Sequence, residues 1–179
     1  AWEHEAGIEC DIPFWAVVWP GAVLMVRYLI SNPSIVKGKR VMDLGCGGGA
    51  AAIAAAKAGA SEVVANDIDP VSLHIAQKNA RANNVSLCIS NENLIQQQAI
   101  RADVVLAEDL FYSREESLHT VEALRRAHSL NGSVILIADG ERKYAPRDKG
   151  EILCEEKIAV NKELEGVSHR CVRLLRLFG

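Results

Sequence analysis

The sequence predicts an α/β sandwich of the doubly wound type, and three observations carry that prediction. Short apolar runs alternate with longer helix-patterned stretches from Arg40 to Ala138. The runs are continuous in Val, Ile and Leu, as in strands covered on both faces of a mostly parallel sheet. A glycine loop stands between the first run and the first helix, where such sheets place their ligands.

Residues 1–39 read as an entry segment with one apolar helix through Val23, Leu24, Tyr28 and Leu29, closed by Asn32-Pro33. Residues 40–179 read as the core, giving one domain over 1–179. Arg40 to Leu44 is the first strand, ended at once by glycines. Alanines crowd Ala50 to Ala58, and alanine is the strongest helix former. Ser61 to Asn66 is the second strand. Pro70 in a first turn, followed by Leu73, Ile75, Ala76, Ala80 and Ala82, predicts a second core helix ending at Asn83-Asn84. Val85 to Ile89 and Ala102 to Ala107 are the third and fourth strands. Ser113 is an N-cap candidate with Glu115 and Glu116 in the first turn. Leu118, Val121, Leu124 and Leu130 are the expected apolar side of that helix, stopped by Asn131-Gly132. Ser133 to Ala138 is the fifth strand, and Lys157 to Leu164 with Arg170 to Phe178 form a closing antiparallel pair.

Composition narrows the function classes. Twenty Lys+Arg against 23 Asp+Glu leave a net charge of −3, which argues against general binding to nucleic acid or membrane surfaces. No apolar stretch reaches the roughly 20 residues of a bilayer span. Five scattered cysteines form no CxxC pair, and the five histidines have no ligand spacing, so neither a disulfide framework nor a metal site is expected. Without a secretory or lipidation signal in view, the expectation is an intracellular monomer, cytoplasmic, or mitochondrial if a targeting segment is missing ahead of Ala1.

Asp43-Leu44-Gly45-Cys46-Gly47-Gly48-Gly49 holds the first functional signal. Gly45, Gly47 and Ala50 satisfy a G-x-G-x-x-A dinucleotide pattern, with Asp67 22 residues beyond Gly45. Asp43 discriminates between ligands. A carboxylate two residues before the first glycine repels a pyrophosphate but attracts the ammonium of S-adenosylmethionine, directly or through water. Asp67 is the first acid after the second strand, placed to grip both ribose hydroxyls, and Ile68 can cover one adenine face. A helix-cap role for Asp67 is the plainer reading, although Asp69 before Pro70 fills it better. Asn91 falls where the adenine edge should lie; a slip by one to Glu92, or an ordinary polar loop, fits nearly as well.

These stretches, with Asp109-Leu110-Phe111-Tyr112 after the fourth strand, resemble class I (seven-strand) methyltransferases. More narrowly, Pro13 to Ala22 (PFWAVVWPGA), KGKRVMDLG and ANDIDP resemble the lysine methyltransferases of the electron-transfer flavoprotein β subunit, sequences often labelled nicotinamide N-methyltransferase-like. The resemblance implies a Rossmann-like seven-strand sheet ordered 3-2-1-4-5-7-6 with strand seven antiparallel, S-adenosylmethionine as methyl donor, and a protein lysine as acceptor. It places Trp19 over the methionine end of the donor, leaves Trp15 to pack or line the acceptor entrance, and completes the donor contacts with Gly45, Cys46, Gly47, Gly49 and Glu108.

Methyl transfer is an in-line displacement, so the protein mainly positions partners and manages charge. A lysine must first lose its proton. Asp109 and Tyr112, three residues apart across a turn, fit a carboxylate that steers the ammonium and an aromatic wall whose hydroxyl orients the amine. A capped loop entering a helix is the plain structural reading of the same two residues. DNA and glutamine-amide methyltransferases typically carry N/D-P-P-Y here and ribosomal-protein methyltransferases an A-N-I-L-like loop; neither matches Ala107 to Tyr112. A small-amine or pyridine methyltransferase, a ribosomal-protein lysine methyltransferase, a donor-binding scaffold without catalysis and a dinucleotide-binding module are the competing readings.

Overall fold

The first five of the seven strands pair in parallel, and that pairing sets the site. A computed structural model describes residues 13–96, 100–146 and 150–178. The strands are β1 (Arg40–Leu44), β2 (Glu62–Asn66), β3 (Cys88–Ser90), β4 (Val104–Glu108), β5 (Val134–Asp139), β6 (Gly150–Ala159) and β7 (His169–Leu177), in one sheet ordered β3-β2-β1-β4-β5-β7-β6. β1 to β5 are parallel, and β7 runs antiparallel between β5 and β6. The order implied by the resemblance is the order observed.

The helices are α1 (Pro20–Ser31), α2 (Ala50–Lys57), α3 (Pro70–Ala82), α4 (Arg114–Asn131) and the short α5 (Lys162–Glu165). Alternation along the strands fills both faces. Val41, Val104, Leu106 and Leu136 pack with Leu24, Met25 and Leu29 of α1 and the alanines of α2. Met42, Val105, Ala107, Ile135 and Ile137 pack with Ala123, Leu124 and Ala127 of α4. No helix among the described residues is long and apolar enough to cross a membrane.

Local sequence explains the ends. Pro70 opens α3 behind Asp69, whose carboxylate accepts from the Val71 N–H at 2.8 Å. Ser113 caps α4 by accepting from the Glu116 N–H, and Gly132 ends it in the left-handed conformation.

Two expectations need correction. Leu118 and Leu130 are 60% and 70% exposed, and α4 instead buries Ser117, Thr120, Ala123, Leu124 and Ala127. Leu124 is the one large side chain on that inner face, and Leu118 and Leu130 fall outside its 3.6-residue stripe. The closing pair is also shifted: β6 ends at Ala159, and Lys162–Glu165 turns into α5 behind an Asn161 cap.

Candidate active site

The C-terminal ends of β1, β2 and β4 meet the N-termini of α1 and α2, and the acids of the sequence reading gather there. Asp43 follows Val41 by two residues, so the pleat points it at the α1–α2 face. It is fully buried, and its Oδ2 accepts from the Ala52 N–H at 2.8 Å. Gly49, the N-cap of α2, has no side chain to offer, so Asp43 caps that helix from the neighbouring strand. Asp43 Oδ1 meets no N–H donor.

Glu108 lies two residues beyond Leu106, the register partner of Asp43, and so projects from the adjacent strand onto the same face. It is buried, and its Oε1 also meets no N–H donor. The two carboxyls perturb each other. Burial, then the Asp43 charge, raises Glu108 well above the ordinary glutamate range. Burial likewise pushes Asp43 up to about 6, offset by hydrogen bonds from Glu108 and Ala52.

Gly45, Gly47 and Gly49 all take positive φ. At Gly45 a Cβ would also run into Leu110, so both backbone and packing require glycine there. Asp67 does more than stand ready for a ligand: Oδ2 accepts from the Gly47 N–H at 2.9 Å and Oδ1 from the Asp69 N–H at 3.0 Å. It fixes the loop, and each oxygen keeps a second lone pair. Ile68 beside it is exposed.

A cleft of about 690 Å³ runs along Gly45 to Gly48, Cys46 included, with Trp15, Trp19, Asn79 and Glu108 in its walls. Burial raises the Cys46 thiol, which stays protonated. A second cavity of about 390 Å³ is lined by Ser90, Asn91 and Glu92. β2 lies between β1 and β3, so Asp67 and Ile68 stand between the two hollows. The loop that carries Asn91 is organised by Asn66, whose amide donates to the Ser90 and Glu92 carbonyls.

Asp109 is buried beneath the start of α1. Its φ of +49 ends β4 and turns the side chain toward α1, leaving it 1% exposed. Oδ2 accepts from the Gly21 N–H at 2.6 Å and Oδ1 from the Gly140 N–H at 3.1 Å. It thereby ties α1 to the end of β5. Gly21 is glycine for the same reason, since a Cβ there would come within 2.6 Å of Asp109 Oδ2. Burial raises the Asp109 carboxyl, opposed by the Gly140 amide and the Arg142 charge.

Tyr112 is 48% exposed and belongs to an aromatic group with Phe14 and Trp19. Trp19 Nε1 donates to the Phe14 carbonyl at 3.0 Å. Burial and the nearby Asp109 push the Tyr112 phenol up to about 12, so it keeps its proton.

The sequence reading missed Arg142. Its guanidinium lies 5.4 Å from the Trp19 ring centre and 5.2 Å from that of Tyr112. It also reaches Asp109 Oδ1 at 3.7 Å and Glu165 Oε1 at 3.2 Å. Glu165 is held in turn by Arg170 at 2.9 Å. One signal was available: Arg142 follows the end of the fifth strand, the edge where open α/β sheets carry functional loops.

Comparison with known proteins fits this arrangement. The chain is 44% identical over 131 residues to the electron transfer flavoprotein beta subunit lysine methyltransferase of Xenopus laevis, covering 73% of this chain and 53% of that protein. The protein of the same name from Homo sapiens is 38% identical over 144 residues, covering 79% and 54%. The chain thus spans about half the length of these relatives. The crystal structure of magnesium protoporphyrin IX methyltransferase from Synechocystis PCC 6803 with bound SAM superposes with a TM-score of 0.66 at 19% identity, covering 98% of this chain and 89% of that one. At that identity the likeness speaks for the fold alone. The model of the ribosomal protein L11 methyltransferase (PrmA) family matches residues 27–123, more than half of the sequence, and the chain belongs to that family.

Proposed function

We propose that this protein is an S-adenosylmethionine-dependent N-methyltransferase acting on lysine side chains of a protein, the electron-transfer flavoprotein β subunit being the favoured acceptor. The observation that carries the donor assignment is the pair of buried oxygens, Asp43 Oδ1 and Glu108 Oε1, that meet no N–H donor and have only each other's carboxyl for company. Buried acceptors without partners are costly. A ligand that brings an ammonium beside the glycine loop satisfies them, and a pyrophosphate does the opposite. The acceptor assignment rests on the two relatives named for that substrate.

Bound S-adenosylmethionine supplies an electrophilic methyl group on a sulfonium. Asp43 and Glu108 receive the ammonium end, with Gly45, Cys46, Gly47, Gly49 and Trp19 shaping the surrounding cleft. Asp67 offers its remaining lone pairs to the ribose, Ile68 its exposed side chain to the adenine, and Asn91 its amide to the adenine edge. On the acceptor side Tyr112 serves as a wall and a hydroxyl, not as a base, because its phenol holds its proton. Asp109 acts by position: it fixes the start of α1 and carries negative charge beneath the aromatic group. That field draws a lysine ammonium in, and water at the exposed edge takes its proton. Action on this acceptor places the enzyme in the compartment that holds the flavoprotein.

The donor half is tested by thermal unfolding. S-adenosylhomocysteine at 100 times its dissociation constant should stabilise the fold by about 2.7 kcal/mol, and NAD should leave it unchanged. Stabilisation by NAD alone would reverse the assignment.

A further inference from the structure

The Trp19 and Tyr112 rings flank a cation that the protein itself supplies, and Phe14 packs beside both rings. Phe14 lies 5.8 Å from Trp19 and 6.4 Å from Tyr112, ring centre to ring centre, and the Arg142 guanidinium stands within 5.4 Å of the latter two rings. Such faces attract cations of any kind, ammonium as well as guanidinium. The slot opens outward, since Phe14 is 58% exposed. It is continuous with the glycine-loop cleft, because Phe14 and Trp19 also line that cleft. Two acids, Asp109 and Glu165, face the same guanidinium.

We propose that this aromatic slot is the acceptor-amine site and that Arg142 is its resting occupant, displaced when a lysine side chain enters. The inference rests on the lysine-acceptor reading above. The surroundings permit the exchange. If the guanidinium leaves, Asp109 keeps the Gly21 and Gly140 amides and Glu165 keeps Arg170, so neither buried acid is stranded. A lysine ammonium arriving between the rings meets the same two acids. Arg142 follows β5 in a loop, where a side chain swings out more easily than from a helix or strand. The occupant therefore acts as a positioning residue that sets a threshold: only an acceptor able to outcompete an internal guanidinium gains the slot, and its apparent affinity is reduced by the fraction of time the slot is open.

The test uses the full chain with recombinant electron-transfer flavoprotein β subunit and labelled S-adenosylmethionine. Arg142→Ala empties the slot and should lower the acceptor KM about tenfold, equivalent to about 1.4 kcal/mol, with S-adenosylhomocysteine affinity unchanged. Arg142→Lys keeps a cation in place and should hold KM near the wild-type value. Ethylguanidinium added to Arg142→Ala should raise KM back toward wild type. Arg142→Gln, which retains hydrogen-bonding capacity toward Glu165, should shift KM in the same direction as Arg142→Ala and serves if the alanine variant unfolds. A merely structural Arg142 predicts a lower melting point with KM unchanged or raised, and that result overturns the proposal. No label on the flavoprotein with any variant, at normal S-adenosylhomocysteine affinity, overturns the lysine reading instead.

Discussion

Asp43→Asn should make the free protein more stable at neutral pH while weakening its hold on the donor. The Asp43 carboxylate is fully buried and pushed up to about 6, chiefly by desolvation. Unfolded, it returns to the ordinary aspartate value of about 3.9. Between those values the folded chain holds more protons than the unfolded one, so stability falls as pH rises through the window and is flat above it. At about 1.4 kcal/mol per pH unit, the ionised group costs the free protein about 3 kcal/mol by pH 7. Asparagine removes that cost and keeps the helix cap, because its carbonyl oxygen can still accept from the Ala52 N–H. Its amide nitrogen then faces Glu108 and gives that carboxyl a donor. Urea unfolding of both proteins at pH 4.5 and pH 7 measures the effect. The variant's advantage should grow by about 2 kcal/mol over this range, the rest of the difference lying below pH 4.5, while its S-adenosylhomocysteine affinity at pH 7 falls by about 1.5–3 kcal/mol, the scale of a hydrogen bond to a charged group. Parallel pH profiles for the two proteins would refute the account of the buried acid.

Three more variants probe the neighbouring residues. Asp67→Ala loses the bonds to the Gly47 and Asp69 amides and should weaken S-adenosylhomocysteine binding by about 1.5–3 kcal/mol with a visible drop in melting point; unchanged affinity by calorimetry removes Asp67 from the donor site. Asp109→Asn turns an NH₂ toward one of the Gly21 and Gly140 amides and should lose about 1–3 kcal/mol of stability as well as turnover. Full stability with turnover down by about 10²–10⁴ would point to direct acid–base work instead. Gly21→Ala forces a methyl against Asp109 Oδ2 and the Ala138 carbonyl and should cost a comparable amount; a melting point equal to wild type would show that the junction is looser than described.

The fold was legible because local signals agreed with one another. Continuous Val/Ile/Leu runs, Pro70 after Asp69, Ser113 before two glutamates and Gly132 after Asn131 all mark the elements where they occur. What escaped was settled by packing. α4 buries Leu124 among Ser117, Thr120, Ala123 and Ala127, while Leu118 and Leu130 lie off that stripe and stay exposed. β6 starts at Gly150, well ahead of the expected strand.

The site was legible to the same depth. The glycine loop, Asp43, Asp67 and Glu108 lie together because Asp43 and Glu108 occupy the last residues of β1 and β4 and the loop and Asp67 follow β1 and β2 directly, with pleat and register fixing the faces. Two of them carry a structural load the sequence did not disclose: Asp43 caps α2, and Asp67 holds Gly47. The Asp109 side chain could not be oriented from sequence, since the left-handed turn that redirects it shows no glycine or asparagine. Gly21, the Gly140–Arg142 loop and Glu165 come from three separate segments, and only tertiary contact unites them around Asp109 and Tyr112.

Mass spectrometry of the electron-transfer flavoprotein β subunit after incubation with this protein and S-adenosylmethionine tests the central claim most directly. The account predicts a gain of one to three methyl masses on lysine residues, absent when S-adenosylhomocysteine is in excess. An unmodified flavoprotein beside a methylated small amine, or methyl groups on residues other than lysine, would contradict it.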